Sequence, residues 1–564
     1  MAKVWTFKPC EKALVERLFQ CLENVPRPLA VILAQRGCTT AEDVRGFMNP
    51  ALSTLRDPFE LPDMEKAVER IRRALAAGER ITVFGDYDAD GVCSTALMVR
   101  VLRELGGNIS TYIPSRQETG YGLSPEALTA CVEKNSPSLI VTVDCGTSSL
   151  EAVEAAREQG IDVVVTDHHE PGGEPADAVA VVNPKRVPDH PASILAGVGV
   201  AFKLCHALVK AGRDAGCAVS ASVDLKNVLD FVAVATVTDM VPLLGENRAL
   251  VRAGFQTLED AACPGWGALK KVTGLTGPLQ TWHAGFALGP RINAAGRVGR
   301  ADAALELFLT DRPERAEELA QLLDEANCER QDIERGIVKE AIEEIDKTFD
   351  EIKPFGLVIA KTGWHPGVIG IVASRLVQRY HRPVAVVGID GDSGRGSCRS
   401  IDGFSVLEGL NACSDLLNQF GGHDMAAGLE VKTENIEAFK ERFNAFAAEK
   451  LKTADLRPVL EIDCAVELSE LNQVLVDGLK RTGPFGQDNP EPVWALRNVN
   501  VADSRILKEK HLKLTLTDGQ TRMDAIGFNM AEKLPSGPVD AAFSFHENTW
   551  NGRTSLQLTL KDIR

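Results

Sequence analysis

Nowhere in the 564 residues do two cysteines form a C-x-x-C pair, although thirteen cysteines are scattered along the chain. An odd, scattered set excludes a disulfide framework and a zinc ribbon, and it reads as reduced thiols in a cytoplasm. No run approaches 18 apolar residues, and the opening M-A-K-V-W-T-F-K has no apolar signal core, so no membrane partner is expected. Internal repeats and low-complexity segments are also missing. Nor is there an excess of positive charge: the formal net charge is -17, which by itself argues against a nucleic-acid partner. Net charge is a weak witness here. Aspartates that bind metal are counted as acidic yet are neutralised in the working protein.

What the chain does have is length, enough for about two to four domains. Residues 1–60 read as short helices with polar breaks. Residues 61–311 alternate short apolar runs with amphipathic segments, the pattern of a parallel α/β domain. Strands are predicted at Ile81–Phe84, Asn108–Ile113, Ser138–Val143, Asp162–Thr166 and Ala178–Val182, and helices at Leu123–Lys134 and Ser148–Gln159. The strands are apolar throughout, as expected when helices cover both faces of a sheet. In residues 312–352, Leu319, Leu322, Leu323, Ala326, Ile333 and Ile337 recur near the helical period, which predicts a long connecting helix. A second α/β domain spans residues 353–451. Alternating stretches such as H-L-K-L-T-L-T-D-G-Q predict a small antiparallel β-barrel in residues 452–564.

The chemistry lies just after the strands. Asp86, Asp88 and Asp90 crowd into V-F-G-D-Y-D-A-D-G, although two carboxylates about 4 Å apart repel by roughly 4 kcal/mol at an effective dielectric near 20. Asp144 follows the third strand, Asp167, His168 and His169 follow the fourth, and Asp239 follows the apolar segment Val228–Val237. Ligands of open parallel sheets bind beyond the carboxyl ends of the strands. One Asp after a strand is usually a cap or turn residue, but four stretches converging on one edge make a site. Aspartates with histidine and no thiolate pair suit Mn²⁺ or Mg²⁺. Two such ions about 3.5–4 Å apart can clamp the attacking and leaving oxygens of a phosphoryl centre.

D-Y-D-A-D-G (86–91), V-D-C-G (143–146) and D-H-H (167–169), in this order and spacing, resemble the DHH phosphoesterase superfamily. Agreement is closest with its bacterial single-strand-specific DNA exonucleases. It is carried by I-P-S-R-Q-E-T-G-Y-G-L (113–123), G-V-G-V-A-F (197–202), F-A-L-G-P-R-I-N-A-A-G-R (286–297), W-H-P-G-V-I-G-I-V-A-S-R (364–375), G-S-C-R-S-I (396–401) and G-G-H-D-M-A-A-G (421–428). The resemblance implies a 5′→3′ exonuclease that uses two Mn²⁺ or Mg²⁺ ions to release 5′-mononucleotides from single-stranded DNA, in recombination and repair. It implies Asp88, Asp90, Asp144, His168 and Asp239 as metal ligands, Asp144 as the bridge, and His169 beside the scissile phosphate. Asp88, Asp90, Asp144 and His169 then form the catalytic set. Pyrophosphatase-like relatives carry a His where this chain has Phe84, and either Asp86 or a water fills that place.

Specificity must come from elsewhere. Arg116, Arg291 and Arg297 are candidate DNA contacts, the last two flanking N-A-A-G, which reads as a small-residue turn. By the resemblance, the second domain is the DHH-associated domain, and its Ser397 and Arg399 hold a terminal 5′-phosphate, with His423 near a further close-approach turn. Trp364, Phe485 and Trp550 are possible base-stacking residues, and the barrel is expected to be an oligonucleotide-binding module. Helicase and single-strand-binding partners and a monomeric state are expected. The alternative is a small-substrate DHH phosphoesterase acting on oligonucleotides, cyclic dinucleotides or pyrophosphate.

Overall fold

The computed structural model describes residues 3–21, 25–114, 122–260, 262–297, 301–347, 349–550 and 553–564. Arg116 therefore lies outside the described residues. The chain divides into two compact units, one formed by Trp5–Gln321 with Leu460–Arg564, the other built on Leu322–Val459.

The first unit is organised around a five-stranded, wholly parallel sheet. Its order is Asn108–Tyr112, Arg80–Phe84, Leu139–Val143, Asp162–Thr166, Ala180–Val182. Every predicted strand is present, with ends displaced by at most two residues. Leu139–Val143 is buried at every position, which explains its unbroken apolar run. The chain begins in the second strand of the sheet, steps to its neighbour on one side, then crosses to the other. The switch point therefore falls between Arg80–Phe84 and Leu139–Val143, where a crevice opens at the carboxyl ends.

The same unit contains the barrel. Trp494–Leu507, His511–Thr517, Arg522–Gly527, Arg553–Ile563 and Val539–Trp550 pair in that order, and Val539–Trp550 pairs back to Trp494–Leu507, closing the ring. Around the ring the expected antiparallel pairing holds except between Arg522–Gly527 and Arg553–Ile563, which run parallel, and outside it the short strand Cys464–Ala465 also pairs parallel with Trp494–Leu507. The barrel does not stand alone. Leu18, Leu29, Ile32, Leu33, Val44 and Met48 from the N-terminal helices share one core with Trp494, Leu514, Phe543 and Leu558. Arg248 ties this assembly to the parallel-sheet domain, since its Nη2 donates to the carbonyls of Phe47, Thr482 and Gly483.

The second unit has a mixed sheet in the order Leu417–His423, Ala426–Lys432, Ser393–Arg399, Val384–Asp390, Leu357–Thr362, in which only the last pair is parallel. Helix Ile436–Leu451 covers one face and helix Ile369–Tyr380 the other. The connecting helix runs from Pro313 to Asp346, and the predicted end of the span is a separate short helix, Phe349–Ile352. Two residues or stretches differ from expectation. Trp364 packs in the core with its indole N–H donated to Glu340, so it is no stacking platform. Gly421–His423 is not a turn but the end of an edge strand.

Candidate metal and phosphate site

Seven of the predicted residues come together at the switch point. Helix Ala89–Glu104 begins inside the aspartate cluster, with Asp88 as its N-cap: Asp88 Oδ1 accepts the amides of Asp90 and Gly91. Asp90 is buried and reaches the first turn of helix Gly197–Asp214, accepting the amides of Gly197 (2.7 Å) and Val198 (2.9 Å). A Cβ at Gly197 would stand 2.5 Å from Asp144 Oδ1, so only glycine allows this helix so near the edge. Asp144 itself has a φ of 62°, a left-handed conformation of the kind found at functional turns.

The donor atoms form overlapping groups. Asp86, Asp88 and Asp144 offer one set within 4.8 Å of one another, Asp90, His168 and Asp239 a second, and Asp144, His168 and His169 a third that shares a residue with each. His168 Nε2 lies 3.1 Å from Asp144 Oδ1, 3.7 Å from Asp239 Oδ2 and 3.8 Å from Asp90 Oδ2, linking the first two sets through Asp144. His169 is oriented differently. Its Nδ1 is 2.8 Å from Asp167 Oδ1, whose carboxylate also accepts the amides of Thr147, His168 and His169. Asp167 lies in D-H-H, yet the sequence gives it no role beyond its place at the edge. Its function as the orienting partner of His169 depends on the fold.

The electrostatics test whether divalent cations fit. Burial, followed by the neighbouring aspartates, pushes Asp144 far above the carboxylate range, Asp90 up to about 7 and Asp239 up to about 9. Burial also pushes His168 down to about 3, so its contacts with the carboxylates are those of a neutral imidazole, and a hydrogen bond to the backbone at Leu195 helps fix the ring. Asp144 Oδ1 and Asp239 Oδ2 are buried without a hydrogen bond. Converging hard oxygens, a neutral imidazole and carboxylates that burial alone penalises are what Mn²⁺ or Mg²⁺ would satisfy. Asp167 behaves oppositely. Burial raises it, but its bond to His169 and the amide of Thr147 outweigh burial and hold it well below the usual range. His169 correspondingly stays above its ordinary value, since Asp167 outweighs burial there too.

One motif takes a different form from that expected. N-A-A-G lies within helix Gly289–Arg297 rather than in a turn. Asn293 Oδ1 accepts the Ala89 amide at 2.7 Å, and a Cβ at Gly296 would meet the Tyr87 carbonyl at 2.7 Å. Its small residues thus admit the aspartate loop. Arg291, on the same helix, donates Nη1 to the Ala287 carbonyl, and the side chain of Arg297 lies outside the described residues. In the second unit, Arg399 Nη1 donates to Ser397 Oγ at 3.0 Å, and both side chains lie beside Gly370 in the first turn of helix Ile369–Tyr380. A guanidinium, a hydroxyl and a helix N-terminus are together groups able to hold an anion. His423 is exposed, and Ala426 separates it from Arg399 across the sheet.

Comparison with known proteins agrees along the whole chain. Family models match at residues 80–236 (DHH family, N-terminal domain), 354–449 (DHHA1 domain) and 462–562 (RecJ OB domain). The single-stranded-DNA-specific exonuclease RecJ of Bacillus subtilis is 37% identical, over 99% of this chain and 70% of that protein. Its Escherichia coli counterpart is 38% identical over 96% of each chain. The crystal structure of RecJ in complex with Mn²⁺ from Thermus thermophilus superposes with a TM-score of 0.86 at 31% identity, covering 100% of this chain and 79% of that one. The corresponding Mg²⁺ complex gives 0.77 at 29% identity, with 100% and 78% coverage.

Proposed function

The chain belongs to the RecJ family of single-stranded-DNA-specific exonucleases, and from that premise we propose that it hydrolyses single-stranded DNA from the 5′ end, releasing 5′-mononucleotides at two divalent cations. The observation that carries this reading is the pair of donor sets at the sheet's switch point, linked by the short approach of His168 to Asp144. Asp86, Asp88 and Asp144 would hold one ion, and Asp90, His168 and Asp239 the other, with Asp144 shared. Bound there, Mn²⁺ or Mg²⁺ supplies Lewis acidity to the phosphoryl oxygens and lowers the pKa of water.

The protein's own groups do the rest. Asp90 is held by two helix amides, so its position does not depend on its ligand. Asp167 fixes the His169 ring and favours its cationic form, which would place positive charge against an oxygen of the scissile phosphate. Ser397, Arg399 and the first turn of helix Ile369–Tyr380 are assigned to the terminal 5′-phosphate. The barrel is assigned to the trailing strand, with bases held by stacking and backbone by charge. By this reading the enzyme is a cytoplasmic monomer in recombination and repair, supplied with single strands by a helicase and a single-strand-binding protein. No described helix is long and apolar enough to cross a membrane.

Long single and double strands labelled at either end, incubated with Mn²⁺, Mg²⁺ or a chelator, test the reading. Mononucleotides should appear from the 5′ end of single strands alone, and chelation should stop their release. The Arg399→Ala variant should lose any preference for a 5′-phosphorylated end. Internal cuts, or cleavage undiminished by chelator, would overturn the assignment.

A further inference from the structure

The helix that bears Asn293 begins well before its regular part. Thr281–His283, the π-helical turn Ala284–Leu288 and Gly289–Arg297 follow one another without interruption. Its later half lies against the metal edge. Asn293 binds the Ala89 amide, and a side chain at Gly289 would meet Thr238 Cγ2 at 2.1 Å, one residue before Asp239. Its earlier half turns aromatic carbon to solvent: Phe286 is 81% exposed, the highest among the exposed large hydrophobics, and Trp282 is 53% exposed. Trp282 and Phe286 stand about one turn apart, with the π turn carrying Phe286. π turns break the regular hydrogen-bond register and concentrate at functional sites. The Trp282 ring lies 3.7 Å, centroid to centroid, from that of His283, whose Nδ1 accepts the Gln280 amide. The platform is therefore set before any ligand arrives.

We propose that Trp282 and Phe286 form a stacking platform for bases of the single strand on its way to or from the metal edge. This rests on the exonuclease reading and adds a binding surface to it. Phe286 precedes Asn293 by seven residues, which is about 10 Å along a helix axis. That distance suits a base a few nucleotides from the reacting phosphate. The half-buried guanidinium of Arg291 lies between them on the same helix. Aromatic faces accept any base, as a sequence-tolerant exonuclease requires. The occupant is a nucleic acid rather than a protein because this helix also anchors the aspartate loop, so whatever covers the aromatics adjoins the reacting phosphate.

The test uses steady-state kinetics on 5′-phosphorylated oligothymidylate. Phe286→Ala and Trp282→Ala should each raise KM roughly five- to hundredfold with kcat little changed, as expected for loss of one base stack. Phe286→Tyr should restore KM, whereas Phe286→Leu should not. The p-nitrophenyl ester of thymidine 5′-monophosphate, which offers no second base, should be cleaved equally by all variants. One abasic position in the oligomer should reproduce the Phe286→Ala defect and add nothing to it. Unchanged KM in both alanine variants would overturn the proposal, as would rescue by leucine. If sedimentation then showed altered self-association, the patch would belong to a second copy of the chain. A wild-type protein that releases no nucleotides from single strands would instead refute the exonuclease reading, a separate result.

Discussion

At the scale of single residues, the aspartates divide by what holds them. Asp88 caps a helix, Asp90 is gripped by another helix's amides, and Asp144 sits in a left-handed turn, with Asp144 Oδ1 accepting no hydrogen bond. Asp167 belongs to none of these groups, because its partner is a histidine and its charge is stabilised. This separation predicts a pH effect. With Asp167 ionised beside it, His169 keeps its proton above the ordinary 6.5. In Asp167→Asn that support is lost, and the alkaline limb of the pH–rate profile should move down by about one unit. Rate measurements from pH 6 to 10 on both proteins check this, and coincident limbs would show that His169 does not act as a cation.

Among the elements, the parallel sheet was easy to read and the helix of Asn293 was not. Strands such as Leu139–Val143 announce themselves because burial on both faces makes every position apolar. N-A-A-G looks like a turn because local sequence cannot show that small residues are needed to admit a loop about 200 residues earlier. The same limit hid the roles of Asp167 and Asn293, whose partners are set by sheet order. The long helix and the barrel were legible from periodicity, but the barrel's parallel pair was not, since alternation does not encode strand direction. The helix's task yields a prediction. Asn293→Ala should weaken Mn²⁺ binding about 10–100-fold, the usual effect of losing a supporting contact behind a metal site. Titration followed by calorimetry would measure it, and Asn293→Asp, which keeps the acceptor, should retain most of the affinity.

For the whole molecule, the uncompensated carboxylates set a pH dependence of stability. Asp90 and Asp239 titrate at about 7 and about 9 in the fold but near 3.8 when unfolded. The folded state therefore binds more protons, and metal-free protein must lose stability as pH rises through this window. His168, depressed in the fold, opposes the trend only below its ordinary 6.5. With chelator, Tm should fall between pH 6.5 and 9, and added Mn²⁺ should raise it more at pH 9 than at 6.5. A flat profile in both conditions would contradict the metal assignment. The shared core makes a second prediction at this scale. Removing residues 3–48 strips Leu18, Leu29, Ile32, Leu33, Val44 and Met48 from the barrel's core. That loss is on the order of 10 kcal/mol, comparable with the stability of a domain. The truncated protein should lose the cooperative unfolding of its barrel in near-ultraviolet circular dichroism.

That core also bears on synthesis. Leu18 and Leu33 are made more than 500 residues before Leu558 and Leu560 of the same cluster. At roughly 5–20 residues per second, the early helices wait about half a minute to two minutes for the surface that covers them. During that interval they are an uncovered apolar face on a nascent chain, dependent on chaperones or on the ribosome's own surface.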